Sequence, residues 1–265
     1  MGILDGRVAI VTAGGGMGMG SAISKRLARE GAAVVIADMD ADRSERTARE
    51  INDAGGRALA LTTNVLKVAD VEHMVETTVR EFGKISILIN HAGVGGGKPI
   101  EEMTEEWWDL VIGVNLKGTY LCTRAVVPHM KKERWGRIVS TASKGGFRVS
   151  KGNKGLAAYA AAKHGMVGFS RALAMELGPW NITLNCIAPG FVANSGMLDP
   201  STGKVFVPTP EQEAALTDNA GQLIHPLRYA SLDEAVGAFL YFMGPDAERI
   251  TGTTLHLNGG SYFGA

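Results

Sequence analysis

Cysteine is scarce in this chain of 265 residues, which contains only Cys122 and Cys186. The two lie far apart and form no CxxC pair, which argues against a disulfide framework and a cysteine-based zinc site. The six histidines show neither HxH nor HExxH spacing, so we expect no metal site. Isolated cysteines are typical of a reducing compartment, and we therefore expect a cytoplasmic protein.

An excess of charge of either sign is also absent, because 27 Lys and Arg residues balance 27 Asp and Glu residues. This balance gives no general attraction to nucleic acid or to an anionic membrane, and we expect neither partner. The first residues, MGILDG, lack the basic and then apolar pattern of a secretory signal. The longest segment without charged side chains, 177–198, contains Asn and Pro and does not predict a membrane helix.

Glycine is abundant instead: the chain contains 35 glycines, about twice the ordinary share. Five of them fall within residues 14–20, between a β-branched apolar run at 8–11 and a segment from 21 with helical periodicity. The predicted order is strand, glycine loop, helix. A helix N-terminus presents unpaired N–H groups that favour a phosphate, and glycine lets the phosphate approach the backbone. A plain structural turn would give the same local pattern.

An acidic residue follows at a distance that is informative. A second apolar run, 33–37, ends at Asp38, which lies 18 residues after Gly20. Dinucleotide-binding folds place an acid near this distance, where it accepts hydrogen bonds from the adenosine ribose. Neither Lys nor Arg occurs in 32–42 to pair with the 2′-phosphate of NADP. The loop and the acid together predict a site for NAD(H).

Short apolar strands alternate with helices along the whole chain. We predict seven strands, at 8–11, 33–37, 57–62, 85–89, 137–141, 182–187 and 253–257. The helices include long ones at 105–130 and 156–177, and one that begins at a capping box of Ser231 and Glu234. Each strand is too apolar to have a solvated face. The pattern predicts an α/β fold, a Rossmann-like doubly wound parallel sheet with helices on both faces, in one domain, 1–265.

Residues 188–230 are rich in loop-forming residues. A short helix is predicted after Thr209, where Pro210 and Gln212 follow a residue suited to the N-cap position. A long loop beside a binding site can close over a substrate, so we expect a substrate loop or lid at about 191–228.

Tyr159 and Lys163 form a YxxxK pair at the start of a predicted helix. Residues four apart lie on one helical face, so the ammonium can lie beneath the phenol. The pKa of an isolated tyrosine is about 10, and a nearby cation stabilises the phenolate. We therefore expect the pKa of Tyr159 to be lowered. A lone pair of this kind is more often a surface contact on a helix, so its context has to decide.

That context is a series of motifs in a fixed order. It consists of GxxxGxG at Gly14, Gly18 and Gly20, NxAG at 90–93, Asn115, Ser143, the YxxxK pair and a Pro-Gly turn at 189–190. The set resembles the short-chain dehydrogenase/reductase family over nearly the whole chain.

This sequence departs from the family pattern at several positions. Ala13 lengthens the glycine loop by one residue, and His91 replaces the second Asn of the family's NNAG turn. Asn64 stands where many members have an Asp that holds the adenine amino group, and Asn194 stands where a Thr often meets the nicotinamide carboxamide. The loop between the serine and the tyrosine is also longer than is common. None of these departures removes a catalytic group.

The resemblance implies four catalytic residues. Tyr159 would exchange a proton with the substrate oxygen, Ser143 would hydrogen-bond to that oxygen, and Lys163 would lower the tyrosine pKa and hold the nicotinamide ribose. Asn115 would hold a water that links Lys163 to solvent. Besides Tyr159 and Lys163, the implied cofactor contacts are Gly14, Gly18, Met19, Gly20, Asp38, Asn64, Val65, Asn90, Ala92, Gly93, Pro189, Gly190, Val192 and Asn194.

The resemblance also implies a reaction. We expect an NAD(H)-dependent oxidoreductase that interconverts a secondary alcohol and a ketone on a small molecule by hydride transfer. The alternatives are an NADPH-dependent ketone or 3-oxoacyl reductase, and a non-catalytic regulator that senses a dinucleotide. The intact set of catalytic residues argues against the regulator. The family's usual assembly is a homotetramer or dimer that uses the two long helices and the last strand, and we expect one of these.

Other conspicuous residues have ordinary interpretations. Trp107 and Trp108 are expected in helix packing or a subunit contact, His91 in a turn, and Cys186 in the core. The loop after Ser143 carries four cations and no acid: Lys144, Arg148, Lys151 and Lys154. They could attract an anionic group of the substrate, although a solvated charged face is the commoner explanation.

Overall fold

The computed structural model describes residues 2–16, 18–147, 155–190, 192, 197–199, 204–206, 230–260 and 262. Its strands are β1 (Val8–Thr12), β2 (Ala33–Asp38), β3 (Arg57–Thr62), β4 (Ile87–Asn90), β5 (Gly136–Thr141), β6 (Ile182–Pro189), β7 (Met197–Asp199), β8 (Lys204–Phe206) and β9 (Thr254–Leu257). Seven of them form one parallel sheet in the order β3-β2-β1-β4-β5-β6-β9. The predicted Rossmann-like sheet is therefore confirmed.

Helices cover both faces of this sheet, as the sequence predicts. The α-helices of the described residues are α1 (Met19–Arg29), α2 (Ala41–Asp53), α3 (Val68–Phe82), α4 (Glu105–Ile112), α5 (Gly118–Glu133), α6 (Ala157–Leu177) and α7 (Leu232–Tyr241). Successive residues of β1 contribute to opposite faces. Ala9 and Val11 pack in a cluster with α1 and α7, whereas Ile10 packs in a second cluster with α3, α5 and α6.

The two edge strands correct the expectation that no strand has a solvated face. Every residue of β1, β2, β4, β5 and β6 is buried, but no residue of β3 or β9 is. β3 and β9 are at the edges of the sheet, so each has a neighbouring strand on only one side. Their apolar side chains are therefore covered only in part.

The long helix predicted at 105–130 is interrupted. A π-helical turn, Gly113–Lys117, separates α4 from α5, and α5 continues to Glu133. Within this turn the side-chain amide of Asn115 donates to the carbonyls of Val94 and Val111, both at 2.9 Å. Turns of this kind often occur at functional sites. Here the turn fixes one of the four predicted catalytic side chains.

The stretch Glu105–Glu133 is long and apolar enough to cross a membrane by length and composition alone, and half of its most apolar window is buried in the fold. The core helix of a protein without a membrane passes the same test. Its α5 part packs in one cluster with α3 and the sheet. The expectation of no membrane contact stays a prediction.

The C-terminal part contains one confirmed element and one that the sequence did not predict. Ser231 and Glu234 form the predicted capping box at the start of α7. β7 and β8 form an antiparallel pair, in which Leu198 pairs with Val205. We predicted only loop here, because strands of three residues are too short to show a period. The short helix predicted after Thr209 and most of the lid predicted at 191–228 lie outside the described residues.

Candidate active site

Four motif segments meet at the carboxyl ends of adjacent strands. The glycine loop follows β1, the NxAG turn follows β4, Ser143 follows β5, and the Pro-Gly turn ends β6. The chain order reverses between β1 and β4, because β2 and β3 lie on one side of β1 and the later strands on the other. Ligands of open α/β sheets bind at such a switch point. The topology therefore brings the predicted cofactor and catalytic residues to one edge.

Thr12 joins two of these segments, and the sequence analysis did not single it out. Its hydroxyl accepts hydrogen bonds from the backbone N–H groups of His91 (2.9 Å) and Ala92 (3.0 Å). The same hydroxyl lies 3.3 Å from the carbonyl oxygen of Ile89, to which it can donate. The turn after β4 is thereby fixed to the end of β1. The threonine that begins the family's glycine motif was the available signal.

The glycine loop is built around close backbone approaches. Ala13, the extra residue, has a left-handed backbone with a φ of 52°. Gly18 has a φ of 125°, which side chains rarely allow, and α1 begins at the next residue, Met19. A Cβ on Gly20 would collide with the carbonyl of Ala13, and a Cβ on Gly14 would lie 2.7 Å from the carbonyl oxygen of Val11. The loop therefore requires glycine where it meets the start of α1.

Asp38 lies at the end of β2, as predicted, and its carboxylate contacts the glycine loop. One oxygen accepts the N–H of Gly15 at 3.2 Å and the other accepts the N–H of Asp40 at 3.1 Å. Burial raises the pKa of Asp38, while these two hydrogen bonds and the nearby Arg43 lower it. Each oxygen keeps a second lone pair for a ribose hydroxyl.

Arg43 is a cation that lies one residue beyond the segment 32–42, in which the sequence contains neither Lys nor Arg. It lies in the first turn of α2, and its Nε is 2.9 Å from a carboxylate oxygen of Asp40. Arg43 is therefore already paired in this structure. The pairing weakens it as a partner for a 2′-phosphate.

Asn64 and Val65 follow β3 at the same edge. The side-chain oxygen of Asn64 accepts the N–H of Leu66 at 2.9 Å, and the backbone N–H of Asn64 donates to Asp70 at 3.0 Å. Val65 is buried and would meet any side chain on Gly118. The amide oxygen of Asn64 can accept one further hydrogen bond, as the predicted adenine contact requires.

Asn90 differs from the other predicted cofactor contacts. Its side chain is buried, and its amide donates to the hydroxyls of Thr123 (3.1 Å) and Ser140 (3.4 Å). The side chain therefore ties β4 to β5 and α5. Asn90 begins the turn that continues through Ala92 and Gly93.

The catalytic residues are assembled on β5 and α6. Ser143 caps a short 3₁₀ turn, Lys144–Gly146, and its hydroxyl is hydrogen-bonded to Tyr159. Lys163 lies one turn further along α6. Its Nζ is 5.6 Å from the centre of the Tyr159 ring and donates to the carbonyl of Thr141 at 2.6 Å. The serine, tyrosine and lysine predicted from the motifs are thus in mutual reach.

The pKa of Tyr159 moves in the direction opposite to our expectation. Burial raises the pKa of this phenol, and the hydrogen bond with Ser143 opposes the rise. Burial also lowers the pKa of Lys163 to about 8. The expected stabilisation by the lysine is not seen because its ammonium is engaged with the Thr141 carbonyl and is itself desolvated.

Asn115 and Gly93 complete this arrangement. The side-chain oxygen of Asn115 is buried and has no hydrogen-bond partner in the described part of the chain. A Cβ on Gly93 would lie 2.7 Å from that oxygen and 3.4 Å from Nζ of Lys163. An unpaired buried acceptor beside an ammonium fits the expected water link, because such groups usually bind an ordered water.

His91 is more than a turn residue. Its Nδ1 lies 2.9 Å from the hydroxyl of Thr141, and its ring makes an edge contact with Phe239. A Cβ on Gly20 would lie 3.3 Å from its Cδ2. Burial and the Lys163 ammonium lower the pKa of His91 to about 4. This neutral imidazole therefore lies between the glycine loop and the catalytic strand.

The remaining predicted residues are placed as follows. Gly190 follows β6 and donates to the carbonyl of Leu257 at 2.8 Å, while the buried Val192 pairs with Ala230. Trp107 is buried in a cluster that includes Tyr159, whereas Trp108 is partly exposed. Cys186 is buried, as expected. Of the other predicted residues, Asn194, Arg148, Lys151 and Lys154 lie outside the described residues.

We predict that replacing His91 with Asn, the family's residue, makes the protein less sensitive to acid. The folded state binds fewer protons at His91 than the unfolded state between pH 4 and 6.5, so stability falls as the pH drops through this window. From about pH 7.5 to about pH 5 the wild type should lose roughly 1–2 kcal/mol more unfolding free energy than His91→Asn.

Urea unfolding at both pH values measures this difference. His73→Asn, on the exposed surface of α3, is the matched control and should lose as much as the wild type. Equal losses in the wild type and His91→Asn would contradict the prediction.

The sequence of this chain is similar to those of known proteins. A family model described as short chain dehydrogenase matches residues 7–204. A Thauera aromatica protein named (2S)-[(R)-hydroxy(phenyl)methyl]succinyl-CoA dehydrogenase subunit BbsD is 39% identical over 258 residues, 97% of each chain. The 3-oxoacyl-[acyl-carrier-protein] reductase FabG of Escherichia coli (strain K12) is 35% identical over 97% of this chain and 98% of its own.

A solved structure agrees with these matches. The short-chain dehydrogenase/reductase from Serratia marcescens BCRC 10948 superposes with a TM-score of 0.83 at 34% identity, over 97% of this chain and 98% of that one. Family model, relatives and structure all point the same way, and this chain belongs to the short-chain dehydrogenase family.

Proposed function

We propose that this protein is an NAD(H)-dependent oxidoreductase that interconverts a secondary alcohol and a ketone. One observation carries the proposal: Ser143, Tyr159 and Lys163 are in mutual reach at the sheet edge where the glycine loop begins α1. Proton transfer by a positioned phenol needs this grouping. A regulator that only senses a dinucleotide has no need of it.

The family uses a nicotinamide dinucleotide, and the residues present fit one. The glycine loop has no room for Cβ atoms at Gly14 and Gly20, so its backbone can lie against a pyrophosphate. Asp38 keeps free lone pairs for ribose hydroxyls, and Lys163 is near enough to the tyrosine to hold the second ribose. The bound cofactor supplies or accepts the hydride.

The protein groups handle the proton and the substrate oxygen. In ketone reduction, the Tyr159 hydroxyl donates its proton to the oxygen, and the single hydrogen of the Ser143 hydroxyl turns from Tyr159 to donate a hydrogen bond to that oxygen. In alcohol oxidation, the Tyr159 phenolate accepts the proton from the hydroxyl. The ammonium of Lys163 lies 5.6 Å from the centre of the tyrosine ring, and a water at Asn115 would link Lys163 to solvent.

Acyl thioesters are the substrate class that the relatives favour. The name of one relative describes the dehydrogenation of a hydroxylated acyl-CoA, and that of another describes the reduction of a 3-oxoacyl carrier-protein thioester. Both reactions interconvert an alcohol and a ketone on an acyl chain. We therefore propose an acyl thioester as the first substrate to test.

An NADPH-dependent 3-oxoacyl reductase is the second candidate. The observation that favours it is Arg43, a guanidinium at the start of α2 close to Asp38. Its ion pair with Asp40 and the carboxylate of Asp38 both disfavour a 2′-phosphate in its vicinity. We therefore rank NAD(H) first.

Replacing Tyr159 with Phe tests the proposal directly. The variant keeps the ring and loses the proton, so turnover of acetoacetyl-CoA and 3-hydroxybutyryl-CoA should fall by about 100-fold or more. Affinity for NADH, followed by its fluorescence, should stay close to that of the wild type. Tyr241→Phe, on the exposed side of α7, is the control and should be fully active. Near-normal turnover in Tyr159→Phe would remove it as the acid/base.

Cofactor preference tests the assignment of Asp38. The wild type should use NAD with a kcat/KM about 100-fold or more above that for NADP, because the carboxylate repels the 2′-phosphate. Asp38→Asn should lower the efficiency with NAD and narrow this ratio. Asp53→Asn, at the end of α2, should leave it unchanged. Equal efficiencies with the two cofactors in the wild type would overturn the assignment.

We propose a homotetramer or dimer as the assembly and the cytoplasm as its location. Several large apolar side chains on the expected contact elements are exposed, namely Trp108, Tyr120, Met175 and Leu255. Their burial between copies would favour association. Light scattering at micromolar concentration should give the mass of a dimer or tetramer, and a monomer would exclude this assembly.

A further inference from the structure

The position of the Ser143 hydroxyl depends on the turn that follows it. Ser143 caps the 3₁₀ turn Lys144–Gly146, and its Oγ accepts the N–H of Gly145 at 3.1 Å. The same hydroxyl is hydrogen-bonded to Tyr159. A shift of the turn would therefore move Ser143 relative to the tyrosine.

His164 holds this turn against α6. It directly follows Lys163, and its Nδ1 lies 2.6 Å from the carbonyl oxygen of Gly146. A carbonyl only accepts, so Nδ1 carries the hydrogen. The backbones are also in direct contact, because a Cβ on Gly146 would lie 2.9 Å from Cβ of Lys163 and 3.2 Å from the backbone nitrogen of His164. The turn is thus fastened to the helix beside the catalytic lysine.

An aromatic cluster supports the far end of the turn. The ring of Phe147 lies 5.5 Å from that of His164, 4.8 Å from His256 and 5.6 Å from Tyr262, between ring centres. His256 belongs to β9 and Tyr262 follows it. Ring pairs at these distances attract each other. The turn is therefore held by α6 on one side and by the C-terminal segment on the other.

We propose that His164 is a positioning residue, whose hydrogen bond to the Gly146 carbonyl keeps the Ser143 hydroxyl on Tyr159. This inference rests on the proposed function, since it concerns the same proton transfer. Among the described residues, the hydrogen bond of His164 is to Gly146 and its ring contact is with Phe147, so it reaches neither Tyr159 nor Ser143 directly. It acts through the turn.

The consequence is measurable because the Ser143 hydrogen bond lowers the pKa of Tyr159. Among the described residues, the Ser143 hydroxyl is the group that lowers the pKa of this phenol, and the ammonium of Lys163 lies 5.6 Å from the ring centre. Loosening the turn removes the hydrogen bond from Ser143 and leaves the Lys163 ammonium in place.

His164→Leu and His164→Asn form a matched pair. Leu and Asn have the same branched shape, but only the Asn amide can donate to the Gly146 carbonyl from the position of Nδ1. His164→Leu should raise the pKa of Tyr159 by about half a unit or more. It should also lower kcat for 3-hydroxybutyryl-CoA oxidation about fivefold, with the NADH affinity unchanged. His164→Asn should restore both values.

The pKa of Tyr159 is measured from tyrosinate absorbance. The absorbance of each variant is compared with that of the same variant carrying Tyr159→Phe, and the measurement needs no substrate. His73→Leu, exposed on α3, is the control and should match the wild type. An unchanged Tyr159 pKa in His164→Leu would overturn the proposal, and so would a failure of His164→Asn to restore it. If His164→Leu does not fold, Phe147→Leu replaces it and should shift the same pKa upward; no shift would count against the proposal.

The outcome is separable from that of the proposed function. Full turnover in Tyr159→Phe would refute the acid/base role whatever His164 does. Loss of turnover in Tyr159→Phe together with an unshifted His164→Leu would refute only the role of His164.

Discussion

A buried ammonium is the constraint on which the site depends. Lys163 is 3% exposed, and no carboxylate lies within ion-pair distance of it in the part of the chain that the structure describes. Burial without an ion pair is costly, so the pKa falls to about 8 and the group relies on one short hydrogen bond to the Thr141 carbonyl. The neighbouring His91 is kept neutral partly by this same charge.

One hydrogen-bonded path links the end of β1, where the glycine loop begins, to Lys163. It starts at the Thr12 hydroxyl at the end of β1, which accepts the N–H of His91, and continues from His91 Nδ1 to the Thr141 hydroxyl. Thr141 then holds Lys163 through its carbonyl. Because β1, β4 and β5 are adjacent in the sheet, a displacement of Thr12 can displace Lys163, and the reverse. The fold thus places the glycine loop and the catalytic helix in one rigid arrangement.

Most of the fold could be predicted from the sequence, and so could the meeting of the motif residues at one edge of the sheet. Strand and helix periods are local, and Gly20, Ser143 and Tyr159 carry motifs whose order is specific. Features that depend on long-range contacts could not be predicted. The π-helical turn at Asn115 depends on the carbonyl of Val94, which lies 21 residues earlier. The pairing of Arg43 and the roles of Thr12 and His91 likewise depend on which side chains the folded chain brings together.

The motifs identified Tyr159 but predicted the wrong direction for the shift of its pKa. Spacing shows that a cation is near, but it gives neither the burial of the pair nor the competing carbonyl of Thr141. Burial penalises both the phenolate and the ammonium, so the protein alone favours a protonated phenol, which is the form that donates a proton to a ketone. Oxidation of an alcohol requires the phenolate instead. The Ser143 hydrogen bond is the described contact that lowers this pKa, which makes the geometry of its turn a determinant of how readily the site works in that direction.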